Sequence, residues 1–225
     1  MKKIKISFVF NLLIFGLAVM ASTMMFYRYH FMGEEVILEA SGFNIFKYFT
    51  VDSNILNGII SLLFAIEEYK LMKGKIKTIS NKYYVAKLVG TVGVTLTFLT
   101  VFFYLGRISE SGVGAFLQNS NLFLHLIIPV LSIITFVLLE YGKDIKFKHT
   151  FLGIVPMVIY GIYYVINILI HMENGKVSPL YDLYWFVQSG IKNIFIVFPI
   201  MFAATLIISI ALWGLNKLNI LKKIK

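Results

Sequence analysis

The 225-residue chain contains no cysteine, which excludes disulfides, thiol nucleophiles and thiolate-bound metals. Charge is scarce as well. Asp, Glu, Lys and Arg make up 14% of the sequence, where a soluble domain carries about 25%. The four histidines, His30, His125, His149 and His171, form no HExxH or similar pair, so neither a dedicated metal site nor a cofactor is expected. Repeats, low-complexity linkers and a second domain are also missing, so residues 1–225 read as one domain. What is abundant is apolar surface: 59% of residues are hydrophobic and the mean hydropathy is +0.83. One soluble core cannot hide that much, whereas lipid can.

Six apolar runs approach the roughly 20 residues that a helix needs to cross a bilayer. They are about Ile6–Tyr27, Tyr48–Ile66, Val85–Leu105, Leu122–Leu139, Phe151–Ile170 and Ile194–Trp213. The runs are apolar all round and too long for barrel strands, which predicts an all-α integral membrane bundle of six transmembrane helices. Sixteen of the 21 basic residues fall before run one, between or just inside runs two and three, between runs four and five, or after run six. Lys2, Lys73, Lys77, Lys87, Lys143, Lys146 and Lys222 are among them, while Arg28, Lys47, Arg107, Lys176 and Lys192 fall on the other side. The positive-inside rule then puts both termini in the cytoplasm. High Lys and Ile content suggests an AT-rich bacterial genome, so a multi-pass protein of the bacterial cell membrane is expected. The net charge of +10 is accounted for by these caps and by contact with anionic lipid, so no nucleic-acid partner is expected.

Two segments admit more than one reading. Lys2-Lys3-Ile4-Lys5, an apolar stretch and Val19-Met20-Ala21 resemble a signal peptide. The stretch continues through Met24, Met25 and Phe26, long enough to span, which favours a retained helix. The external loop from Asn174 to Trp185 carries Asn-Gly and Ser-Pro turn signals, and Tyr181, Tyr184 and Trp185 suit a membrane–water interface. Acidic residues lie mostly outside: Glu34, Glu35, Glu39, Glu110, Glu173 and Asp182. Glu67 and Glu68 mark the inner end of helix two, and Glu140 and Asp144 that of helix four.

His125 is the one histidine inside an apolar run, where an ionisable side chain is costly and marks either function or an interhelical contact. It enters from outside four residues after Asn121, about 6 Å deep at 1.5 Å per residue. Thr50 lies at a similar shallow depth on helix two, with Asn54 one turn deeper on the same face. Helix five brings Tyr160, Tyr163 or Tyr164, Asn167 and His171 at spacings of three and four. Polar residues from helices two, four and five therefore converge in the outer half of the membrane, as an outward-facing polar cavity would require. Thr91, Thr95, Thr97 and Thr100 of helix three read as structural, bonding their own backbone. Asp52 faces away from Thr50 and needs a partner of its own or headgroup water.

A hydroxyl and an imidazole at equal depth suggest a nucleophile and a general base. Histidine suits the second role because its ordinary pKa lies near neutrality. Asn54, Tyr160 or Asn167 can donate to a developing oxyanion, Tyr164 belongs to the same stripe, and Asp182 can orient the imidazole if its loop folds back.

The segments Phe46-Lys47-Tyr48-Phe49-Thr50-Val51-Asp52-Ser53-Asn54 and Leu124-His125-Leu126-Ile127-Ile128-Pro129 resemble the androgen-induced membrane protein family. Its animal members are hydrolases of fatty acid esters of hydroxy fatty acids, and it has bacterial relatives. The matching features are an aromatic-x-Phe/Leu-Thr entry to helix two, a His-x-x-x-Pro-like entry to helix four, the six-helix plan and the aromatic external loop. The resemblance implies a catalytic threonine and histidine at Thr50 and His125. Asp52, Ser53 and Asn54 depart from the animal pattern. The expectation is a membrane hydrolase of lipid esters acting on a lipid-like or amphipathic substrate among membrane lipids. A non-catalytic membrane binding protein or transporter for a small amphipathic ligand is the alternative, though no inverted repeat or broken helix pair supports it.

Overall fold

Apolar side chains and backbone hydrogen bonds must both be satisfied without water, and the chain meets that demand with helices. A computed structural model describes residues 2–33, 40–140, 144–172, 174, 176–178, 181–187 and 190–224, with side chains up to 218. Six helices are long and apolar enough to cross a membrane: α1 (Lys2–Phe26), α2 (Phe49–Met72), α3 (Asn81–Ile108), α4 (Ser120–Leu139), α5 (Phe147–Ile170) and α6 (Ile191–Leu218). The chain is a six-helix, multi-pass membrane bundle. Most helices outrun the apolar stretches that announce them, because lysines and tyrosines at their ends extend the backbone helix while keeping their polar tips in water. Lys143, Glu34, Glu35, Glu39 and Glu173 lie outside the described residues.

The α1–α2 pair is drawn close by small residues. A Cβ added at Gly58 would stand 2.9 Å from the Ala18 Cβ, so the two backbones touch in the manner of small-residue membrane interfaces. Gly153 does the same for α5 against Ser209 of α6. α3 is the central helix: Leu88, Val92 and Val94 are buried along it, and it packs on α2, α4, α5 and α6.

Two local features shape the end of the bundle opposite the lysines. First, α4 opens with a π-helical turn over Phe123–Ile127. Pro129 has no N–H to offer the His125 carbonyl and crowds it, so the α ladder cannot run through this turn. Second, the 3-10 turn Val113–Leu117 folds back on the top of α3 and α4. A Cβ at Gly106 would collide with Val113, so glycine permits that close approach. Asn119, at φ 51, accepts the N–H groups of Phe31 and Met32 on its side-chain oxygen at 2.6 and 2.8 Å. The α1–α2 connection is thereby pinned to the start of α4. Asparagine tolerates this left-handed backbone better than most residues.

Candidate functional site

Thr50 sits in the first turn of α2 and is buried to 5% exposure, and His125 is fully buried in the π turn of α4. Their side chains meet: Thr50 Oγ1 lies 3.3 Å from His125 Nε2. The other ring nitrogen, Nδ1, stands 2.7 Å from the Phe116 carbonyl oxygen. A carbonyl only accepts, so Nδ1 carries the hydrogen, and the neutral ring turns the Nε2 lone pair toward the Thr50 hydroxyl. That is the tautomer a general base needs. Phe116, in the turn held down by Gly106, fixes it from behind.

The expected roles of several neighbours are corrected. Asn54 does not point its amide at an oxyanion position: Nδ2 donates to the Thr50 carbonyl at 2.7 Å and the Leu124 carbonyl at 3.0 Å. It ties α2 to the π turn, whose displaced carbonyls need donors. Tyr160 lines the site, but its hydroxyl donates to the Lys47 carbonyl at 2.9 Å. Asn167 does not reach the cavity; its carbonyl accepts from His171 Nδ1 at 2.8 Å, and His171 stacks on Tyr181 with ring centroids 3.7 Å apart. Asp182 does not orient His125. Its carboxylate accepts the Tyr164 hydroxyl and the N–H groups of Phe186 and Val187, and so shapes the loop between α5 and α6.

That loop does fold back over the bundle, with a different residue reaching in. Tyr184 is buried to 5% exposure and is no interfacial anchor. Its ring packs against Tyr48, Tyr160, Tyr164 and Phe186, and its hydroxyl lies beside the Thr50 and Tyr160 hydroxyls. Among the described residues it makes no completed hydrogen bond there. Burial pushes the Tyr184 phenol well above its ordinary range, so it stays an O–H donor at neutral pH. In the sequence this tyrosine is one aromatic among several in a loop; only the Asp182 and Tyr164 contacts that set the loop's path reveal its direction.

Thr50, Thr97, Thr100, Tyr160, Tyr184 and apolar neighbours line a cavity of about 20 Å³, room for one water molecule. His125 is behind Thr50 rather than in its wall. Thr97, expected to be purely structural, bonds the Gly93 carbonyl at 3.3 Å and also shares a 3.2 Å hydrogen bond with Ser53. Phe49 and Tyr160, 5.2 Å apart at their ring centroids, separate this cavity from a larger groove of about 530 Å³ between α2, α3 and α5. The groove falls within the volume of small-molecule sites. It is lined by Leu56, Val89, Val155, Ile159 and Tyr163, with Asp52 set in its wall.

Polar groups are not confined to this end. Lys87, counted above among the topogenic lysines, is fully buried at the opposite end of the bundle with Glu68 and Glu140. Its position a few residues inside an apolar helix is the one sequence signal for this cluster. Among the described residues, no group of three or more His, Asp or Glu side chains is arranged to hold a metal ion. Comparison of the chain with protein-family models, with curated proteins and with solved structures finds no match.

Proposed function

We propose that the chain is an integral-membrane hydrolase of lipid esters, with Thr50 as nucleophile and His125 as general base, its lysine-rich end facing the cytoplasm. The observation that carries this reading is the buried Thr50–His125 contact, with the ring held by Phe116 in the base tautomer.

The chemistry balances with water as co-reactant. Thr50 Oγ1 forms a bond to the ester carbonyl carbon as its proton passes to His125 Nε2. The carbonyl becomes an oxyanion, to which the Tyr184 hydroxyl can donate. The C–O bond to the alcohol breaks, and the alcohol leaves with the proton from Nε2. Water then attacks the acyl-threonine, giving its proton to Nε2. Collapse releases the carboxylic acid and returns the hydrogen to Thr50. The groove between α2, α3 and α5 supports a lipid substrate, because it is apolar, faces the side of the bundle and shares Phe49 and Tyr160 with the Thr50 cavity. The resemblance to the androgen-induced family points to the same pair and the same substrate class.

The test is hydrolysis of a panel of lipid esters by purified wild type, Thr50→Ala and His125→Ala in lipid nanodiscs. Loss of the base should lower the rate by about 100- to 10,000-fold. If wild type cleaves an ester and either variant keeps the full rate, the assignment fails.

A further inference from the structure

The buried charges at the lysine-rich end take no part in the Thr50 site. Glu68 stands eighteen residues further along α2 than Thr50, about 27 Å at 1.5 Å per residue. Lys87 Nζ, on α3, donates to Asn11 Oδ1 of α1 at 2.7 Å and to Ser61 Oγ of α2 at 3.0 Å. It pairs with Glu140 Oε1, at the end of α4, at 3.5 Å. The Asn11 amide donates to Glu140 Oε1 at 2.6 Å and to Glu68 Oε2 at 3.2 Å, and Ser7 Oγ donates to Glu140 Oε1 at 3.4 Å. From α6, the neutral amide of Asn216 meets the Glu140 carbonyl. Five helices thus converge around one lysine and two carboxyl groups, none of the three more than 3% exposed.

The charges do not cancel if all three ionise. Among the described residues, Lys87 is the one cation acting on Glu68 and Glu140; Glu67 is engaged elsewhere, with Lys70 at 2.7 Å. One carboxylate is neutralised by Lys87, and a second would be a bare charge in a dry place, which native structures avoid. Adding protons to both would strand Lys87 instead. The neutral cluster has one proton on the carboxyl pair. The contacts say which carboxyl holds it: Glu140 Oε1 receives Asn11 at 2.6 Å and the Lys87 ammonium at 3.5 Å, while Glu68 receives the longer Asn11 bond at 3.2 Å and shares the Ser7 hydroxyl with Glu140. Among the described residues Glu140 Oε2 is buried and accepts no hydrogen bond, an acceptor left open in the same cluster.

We propose that Glu68 and Glu140 form a binding site for one proton, loaded from the lysine-rich face. A monovalent cation fits less well, because the Lys87 ammonium already takes the Asn11 and Ser61 oxygens that would ligate it. The route runs past Tyr84. Its side chain is close enough to feel the charge of both carboxylates, and it also lines a polar cavity of about 370 Å³ with Lys77, Thr78, Asn81 and Asp144.

Infrared spectroscopy of the full chain in nanodiscs tests this, using protein whose glutamates carry ¹³C in the carboxyl group. The wild type should show one isotope-shifted, protonated-carboxyl carbonyl band at neutral pH, and the label separates it from Asp52 without any mutation. Glu68→Gln and Glu140→Gln each leave one lysine with one carboxylate, so the band should vanish in both. Lys87→Met leaves two carboxyls with no cation, so the band should double. Absence of a labelled protonated band in wild type overturns the proposal, and a band that disappears on adding sodium or potassium assigns the site to a cation instead. Persistence of the band in Glu68→Gln also overturns it. The wild-type measurement stands even if a variant fails to fold.

Discussion

Removing the Tyr184 hydroxyl should move stability and activity in opposite directions. The hydroxyl is buried, lies beside Thr50 and lacks a completed hydrogen bond in the resting protein. Burying such a group without a partner costs about 1–3 kcal/mol in protein mutational data. Tyr184→Phe keeps the ring contacts with Tyr48, Tyr160, Tyr164 and Phe186 while deleting that cost. Resistance to unfolding should therefore stay level or rise by about 1 kcal/mol. If the hydroxyl instead meets the charge that develops on an ester oxygen, its loss lowers kcat by about 100- to 1,000-fold, the effect of removing one oxyanion donor. The assay pairs ester hydrolysis in nanodiscs with denaturant unfolding in mixed micelles. An unchanged kcat refutes the oxyanion role; a loss of stability above 1 kcal/mol shows that the hydroxyl was already bonded. A pH series adds a check. The folded phenol resists ionisation while an unfolded tyrosine titrates near pH ~10. The folded state then binds more protons above that pH, so wild type loses stability as pH rises past ~10, and the Tyr184→Phe variant loses less.

Pro129→Ala restores an N–H four residues after His125, which favours an α turn over the π turn; ester hydrolysis should fall at least 10-fold with stability unchanged or higher, and retained activity would show that the proline does not set the ring position. Asn54→Leu removes one bond within α2 and one from α2 to the π turn; at about 0.6 kcal/mol per intramembrane hydrogen bond the expected loss is about 1 kcal/mol, read by unfolding in mixed micelles, with a drop in kcat because Thr50 loses its anchor. Gly153→Val drives a side chain into Ser209 of α6, where a Cβ alone would stand 2.5 Å from its hydroxyl oxygen; destabilisation of 1–3 kcal/mol is expected by the same measurement, and Ser209→Gly in the same chain should recover part of it.

The bundle was readable because a membrane span needs only length and apolarity, and all six runs carry both. Thr50 and His125 were readable because each is a polar residue near the same end of an apolar helix, and depth along a helix follows from counting. Direction around a helix does not follow as easily once the ladder is broken. The π turn at Phe123–Ile127 rotates His125 relative to an α helix, and the turn at Val113–Leu117 supplies the Phe116 carbonyl from a stretch with no marked residue. Asp182 and Tyr184 differ by two positions in a loop, and which of them enters the bundle is decided by backbone N–H groups that any sequence would offer. The Lys87 cluster stayed hidden for another reason. Near a helix end, a lysine that caps the membrane and one that points into the bundle look alike until its partners on other helices are known.

Phe49 and Tyr160 form a partition one ring thick between an oily compartment and a compartment the size of a water molecule. A long molecule lying in the groove can offer Thr50 only what passes between two rings, a flat group such as a carbonyl with its immediate substituents. The bulk of its chain stays in the groove. Selection by this partition acts on the cross-section of the molecule at one point and is indifferent to its total length. The Tyr184 loop, and not the groove, closes the cavity on its other side.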